Sequence, residues 1–269
     1  MITRRQFSFL VTMASLAMAA RARAEDNIVI LGATTTTDAS GLHDWLLPQF
    51  EADTGIAARV VVAGTGRILQ LARAGDIDLA LTHDPIGEAE FGRQNPGTKR
   101  CDVMRNDFLI VGPFFDPAAI RGYLRPDEAL QRISDTRSLF FSRGDDSGTH
   151  RREMALWNGS IAPGDWYRET GAGMGATLNI AASSDGYTLV DRGTWAAFGN
   201  RGALTELVEG SPDLANQYAA LLPRAGDRPS PNRPAAERLF SWLTSARGQT
   251  AIELFRIRGK QVFFPNAAC

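Results

Sequence analysis

Hydroxyl side chains and glycines gather in three short stretches of this sequence: Thr34 to Thr37 with Ser40-Gly41, Gly64-Thr65-Gly66, and Ser147-Gly148-Thr149. Each follows an apolar run and precedes a helical pattern. Such a corner offers free backbone N–H groups, the positive end of a helix dipole and a hydroxyl donor, while glycine lets a ligand approach the backbone. The chemistry is anion binding. Any one corner alone reads as an N-cap or a turn, but their recurrence in equivalent positions points to a single oxyanion. Arg143 stands directly after a strand pattern and just before Ser147, where it adds a fork of donors and a formal positive charge. Asp145 and Asp146 beside it are its ion-pair partners, the groups that orient it toward the site, or both.

The elements that must position these residues form a β-α-β-α-β march. Ile28 to Leu31 reads as a strand, and Leu42, Leu46, Leu47 and Phe50 recur at helical spacing, with Pro48 expected to kink or divide that helix. Arg59 to Ala63 and Ile77 to Leu81 read as further strands around a helix over Arg67 to Ala74. The alternation predicts an α/β fold whose ligand crevice lies outside the carboxyl ends of a parallel sheet. Phe108 to Val111 reads as a strand broken by Gly112-Pro113, where a second unit begins; Ser138 to Ser142 and Tyr187 to Val190 are strands of that unit, and a helix continues through Met154 to Trp157. Tyr218 to Leu222 returns to the first unit, on which a helical segment over Ala235 to Leu254 packs. Two crossings between the units make a hinge. Trp45, Phe50, Trp157, Trp166, Trp195 and Trp242 are read as core, not as a stacking platform for a sugar.

The N-terminus carries Arg4-Arg5 before an apolar run from Phe7 to Ala20, which ends in Ala22-Arg23-Ala24. That layout is a secretory signal over residues 1–24, and the Arg pair before Phe7 resembles the twin-arginine subtype. Its loss removes four cations and no acid, taking the formal net charge from −1 to −5, opposite to a general nucleic-acid binder. No run reaches the length of a membrane span. Cys101 and Cys269, the sole cysteines, permit one bridge in an oxidising compartment.

The strings Ala33 to Leu42, Ser142 to His150, Gly173 to Leu178 and Thr188 to Thr194 resemble those of the tungstate-binding proteins of ABC importers, and the likeness spans most of the mature chain. It implies the type II periplasmic binding-protein fold: lobe I over 25–111 and 213–269, lobe II over 112–212, and a two-crossing hinge. It further implies a monomer in the periplasm that performs no catalysis, carries no cofactor or metal cation, and delivers tungstate or molybdate to a membrane permease. Residue by residue, it points to Thr35, Thr36 and Thr65 facing Arg143, Ser147, Gly148 and Thr149, with Thr34, Thr177 and Arg192 as further candidates. The family pattern Thr-Thr-Thr-Ser aligns with Ala33-Thr34-Thr35-Thr36, so one hydroxyl is lost and the last is kept as threonine.

Phosphate is the nearest alternative ligand. It retains a proton at neutral pH and needs an acceptor, for which Asp145 or Asp84 could serve, whereas tungstate and molybdate are bare dianions. A hydrolase or metalloenzyme would draw on His43, His83 with Asp84, His150, or Ser147 with His150, but HExxH and GxSxG are absent. A sensor domain of a transcription regulator would need a DNA-binding module for which the mature chain has no room.

Overall fold

The computed structural model describes residues 28–159, 161, 164–224 and 232–269; the expected export segment lies outside them. Ile28–Thr34 (β1), Ala57–Ala63 (β2) and Leu79–Thr82 (β3) are parallel strands in the order β2-β1-β3. Thr34 lies opposite Ala63 and Ala33 opposite Leu81, so the three strands end along one edge. From that edge β1 leads into Thr35–Ala39 (α1) and then Leu42–Thr54 (α2), β2 into Thr65–Ala74 (α3), and β3 into Pro85–Gln94 (α4). Pro48 sits within α2 without dividing it. It is exposed, as is Asp44 one turn earlier, so the carbonyl deprived of its intrahelical donor lies on the solvent face.

Lys99–Pro113 (β4) is shared by both halves of the molecule. The second half adds Pro126–Asp135 (α5), Phe140–Ser142 (β5), Gly148–Trp157 (α6), Tyr167–Glu169 (β6), Met174–Ser183 (α7), Thr188–Asp191 (β7), Arg192–Ala197 (α8) and Leu204–Val208 (β8). The chain returns through Ala215–Leu222 (β9) and finishes with Arg233–Thr244 (α9), Ala246–Leu254 (α10) and Phe264–Ala268 (β10). Residues 99–107 of β4 pair with β9, and residues 108–113 pair with β7 and β8. The strand is thus longer than its apolar centre suggested. Gly112-Pro113 does not break it: they lie opposite Thr205 and Leu204, and a Cβ on Gly112 would come 2.4 Å from the Tyr187 ring. The glycine marks a close approach.

Strand direction fixes where a site can form. Because β3 and β4 are both antiparallel to β9, β4 runs the same way as β1 and β3 and leaves the first half past their carboxyl ends. β7 runs back against β4 with Asp191 opposite Phe108, and β5 bridges parallel to the chain entering β7 at Phe140 and Tyr187. The strand ends of the second half therefore face those of the first.

Each half has its own apolar packing. Leu31, Phe50, Leu79, Met104, Tyr218, Leu239 and Phe263 belong to one cluster of the first half. In the second, alternate side chains of β4 serve opposite faces: Phe108 and Ile110 pack with Leu130, Phe140 and Trp157, while Leu109 and Val111 pack with Leu178, Val190 and Trp195. Burying a ring such as Phe140 contributes about 1.5–3 kcal/mol. Trp45 departs from the expected core set. It is 41% exposed, and its indole N–H reaches the Ala251 carbonyl at 2.8 Å. The segment expected as helix over Ala235 to Leu254 is two helices, because Ser245 turns extended and its hydroxyl accepts the Gly248 N–H at 3.2 Å as an N-cap. Among the described residues no helix is long and apolar enough to cross a membrane.

Two features give testable consequences. Cys101 of β4 and Cys269, just beyond β10, form a disulfide across 168 residues of sequence. Cys269→Ser should lower unfolding free energy in urea by about 2–4 kcal/mol and remove its dependence on reductant. Glu153 of α6 is buried and accepts from Trp157 Nε1 at 3.1 Å and Tyr167 Oη at 2.8 Å, and burial pushes its carboxyl up to about 7. An acid with a raised folded pKa stabilises most below its unfolded value, and that contribution is lost as pH rises through the folded value. Glu153→Gln, which keeps an acceptor, should flatten the fall in Tm between about pH 5 and 8.

Candidate oxyanion site

The first half contributes two helix N-termini from adjacent strands. Thr34 is the N-cap of α1, but its hydroxyl lies 2.7 Å from that of Thr37, which also donates to the Thr34 carbonyl at 3.2 Å. Its polar atoms are engaged within the turn. Thr36 is buried and Thr35 half-buried in the first turn of α1. At the next strand end, Gly64 is the extended N-cap of α3, and Thr65 is fully buried with its hydroxyl unpartnered.

The second half contributes Arg143 and the start of α6. Arg143 is 2% exposed; its Nε and Nη2 donate to Asp145 Oδ2 at 3.1 and 2.5 Å, while Nη1 is buried without a partner. Asp145 Oδ1 accepts the Ser147 N–H at 3.2 Å, so one carboxylate both orients the guanidinium and shapes the loop. Ser147 is the N-cap of α6, its hydroxyl accepting the His150 N–H at 3.3 Å. Thr149, also buried, has an unpartnered hydroxyl.

The halves meet at these residues. A Cβ on Gly148 would lie 3.3 Å from Thr65 Oγ1 and 3.0 Å from His83 Nε2, so α6 can press its N-terminus onto the first half because residue 148 is glycine. His83 Nδ1 donates to Asn216 Oδ1 at 2.9 Å, and the ring stacks on Tyr218. Burial lowers its pKa to about 4, which leaves it neutral near pH 7.

Two expected candidates have other partners. Arg192 is paired with Asp107 and with Glu209, the latter at 2.9 Å. Thr177 is buried within its own lobe, its hydroxyl 2.8 Å from that of Thr170. Two residues beyond Arg192, sequence reasoning missed Thr194: it is 4% exposed, its hydroxyl is unpartnered, and its amide is capped by Asp191 Oδ1 at 3.0 Å. It lies in α8, which packs against α1 across the cleft. The signal was present in the string Asp191-Arg192-Gly193-Thr194, an N-cap followed by a hydroxyl, but the charged residue drew attention from it. Asp191 is fully buried, and burial raises its carboxyl above the usual carboxylate range.

Asp191 Oδ2 is a buried, unpartnered acceptor, while the buried, unpartnered donor set of the site is Thr65 Oγ1, Thr149 Oγ1, Thr194 Oγ1 and Arg143 Nη1. Leaving such a group unsatisfied costs about 1–3 kcal/mol, so the set fits a ligand made of acceptors. A nucleophile–base pair is not formed: Ser147 Oγ is committed to the cap, and His150 Nδ1 accepts the Asp146 N–H at 3.0 Å. Among the described residues no three His, Cys, Asp or Glu side chains are grouped so as to hold a metal ion.

Residues 20–247 match the model of the PBP superfamily domain. The chain is 41% identical over 246 residues to "Tungstate-binding protein TupA" of Peptoclostridium acidaminophilum, covering 89% of this chain and 86% of that protein. Identity to the protein of the same name from Campylobacter jejuni is 32%, covering 86% and 88% respectively. Among solved structures, the tungstate-binding protein TupA of Desulfovibrio alaskensis G20 superposes with a TM-score of 0.77 at 38% identity, covering 90% of this chain and 99% of that one. A structure described as the tungstate ABC transporter from Geobacter sulfurreducens gives 0.77 and 38%, covering 85% and 98%. A two-lobe α/β fold with opposed helix N-termini, relatives of this identity and a family match across most of the chain lead to one assignment: the chain belongs to the PBP superfamily and, within it, to the family of the TupA proteins.

Proposed function

We propose that this protein captures tungstate between its lobes and delivers it to the membrane permease of an ABC importer, with molybdate as a second ligand and no chemistry performed on either. The observation that carries the reading is the set of buried, unpartnered donors on opposed lobes: Thr65 on one side, and Arg143, Thr149 and Thr194 on the other. With the N-terminal amides of α1, α3 and α6 and the side chains of Thr35, Thr36 and Ser147, they make a cage of N–H and O–H groups. Four hydrogen bonds to a charged ligand contribute about 6–12 kcal/mol gross, against about 8 kcal/mol net for micromolar binding. Arg143 is already balanced by Asp145. The anion's charge is therefore met chiefly by dipoles, as at other helix N-termini.

Ligand choice follows from acceptors. Asp145 is spent on Arg143 and Ser147, and Asp84 accepts from Arg151 and from the Gly87 N–H. Neither Asp145 nor Asp84 is free to accept a phosphate proton, which favours a fully deprotonated tetrahedral dianion, although Asp191 keeps one buried oxygen, Oδ2, without a partner. The same charge and shape admit molybdate. The lobes we propose are 25–111 with 213–269 and 112–212, sharing β4; separate apolar clusters support two units, while Phe108 to Val111 and Leu214, near the proposed boundaries, pack with the second. The protein is proposed to act as a periplasmic monomer exported by the twin-arginine route, as its N-terminal Arg pair suggests.

Calorimetry with sodium tungstate should show Arg143→Ala weakening binding by about two orders of magnitude with the fold retained; unchanged affinity would remove Arg143 from the site. Thr149→Ala and Thr65→Ala should each cost about tenfold. In thermal-shift titrations the mature chain should respond in the order tungstate and molybdate before sulfate and phosphate, since a ligand bound only by the native state raises stability with its concentration over Kd. Phosphate ranking first would replace the proposed ligand.

A further inference from the structure

Beyond the donors, one side chain of the second lobe reaches into the first. Arg151 lies on α6, one turn past Ser147. Its Nη1 donates to Asp84 Oδ2 at 2.6 Å, and Asp84 is the N-cap of α4 on the opposite lobe, its Oδ1 accepting the Gly87 N–H at 3.1 Å. Nε and Nη2 donate to Asp146 Oδ1 and Oδ2 at 2.9 and 2.8 Å. The guanidinium is thus held from both sides of the cleft, by one carboxylate of each lobe.

The first lobe is shaped to receive it. A Cβ on Gly66 would lie 3.2 Å from Arg151 Nη2, and one on Gly87 would lie 2.3 Å from Asp84 Oδ2 and 3.0 Å from Arg151 Nη1. Both glycines stand in the first turn of a helix, α3 and α4, where the dipole disfavours a cation. Asp84 and Asp146 offset that cost, and Asp84 can do so only while the lobes are together. Asp84 is 6% exposed and the Arg151 side chain 34%, so the pair is shielded from salt on one side only.

We propose that Arg151 is the latch of the closed cleft, a positioning residue that docks between Gly66 and Gly87 on Asp84 and slows release of the bound anion without touching it. This rests on reading the cleft as an oxyanion site that closes on its ligand. Because the bridge spans the lobes, its contribution belongs to the closed state alone, and it biases the open–closed equilibrium by that difference. When the lobes part, Asp84 keeps its cap through Oδ1 and Arg151 keeps Asp146, while Asp84 Oδ2 exchanges its cation for water.

The test is a double-mutant cycle with Arg151→Gln, Asp84→Asn and both together, the asparagine retaining an acceptor for the Gly87 N–H. Two readouts are taken: calorimetry with sodium tungstate at low and high salt, and inter-lobe distance in the ligand-free protein, from fluorescence transfer between labels at E51C and D135C. Each single variant should weaken tungstate binding roughly fivefold, and the double variant should lose no more than either single one. Wild type should also lose affinity with added salt more steeply than the double variant, and should show a shorter mean inter-lobe distance. The Tm of ligand-free protein should not change beyond what opening accounts for. Additive losses, or no loss in any variant with an unchanged inter-lobe distance, would overturn the latch. If wild type binds no tungstate but the distance readout shows coupling, the ligand assignment fails and the latch stands.

Discussion

A doubly charged anion leaves water only for a cavity whose walls replace the lost hydration with donors, and the molecule is organised around that requirement. Full cations would bind a dianion strongly, but they repel one another when the cleft is empty. The structure instead keeps Arg143 balanced by Asp145 and leaves one nitrogen of its fork, Nη1, unengaged. The remaining donors are hydroxyls and the amides of helix N-termini, which carry partial charges and no net charge.

Such donors can surround one small ligand only if several helices begin at the same place, and strand direction achieves this. β1, β2 and β3 end together, β4 runs past them into the second lobe, and β7 points back from it. A polar chain follows the crossing strands: His83 meets Asn216, Asn216 donates to Asn106 at 2.7 Å, and Asn106 reaches Asp191 at 3.5 Å. These buried groups bond to one another where the two lobes join, with Asp191 Oδ2 left over at the end of the chain. The strand ends His83 and Asp191 are thereby tied to both crossings, next to the helices that carry the donors.

The two lobes also differ in how their helices are anchored behind the site. In the second, α6 is held through Glu153, which accepts from Tyr167 of β6 as well as from Trp157 of its own helix. In the first, α3 rests on Ile68 and Leu69 against Ile77 and Phe91, and Arg73 at its far end donates to Gln94 of α4. Both arrangements leave the N-terminal turn free to face the cleft.

Much of this was legible in the sequence because the controlling patterns are local. Alternating strand and helix periods gave the α/β class, and glycine–hydroxyl corners gave the helix N-termini. Local patterns failed where a long-range partner decides the outcome. Gly112-Pro113 reads as a break, yet pairing with β8 carries the strand through it. Arg192 and Arg143 each follow a strand pattern, but Arg192 is claimed by Asp107, 85 residues away, whereas Asp145 lies two residues from Arg143 and leaves Nη1 unengaged. The sequence by itself determined which residues could donate, since donor chemistry and helix starts are fixed within a few residues. Only the tertiary structure decided which donors stay unpaired and meet across the cleft, because a hydrogen bond to a distant partner is settled by the fold and not by neighbours in the chain.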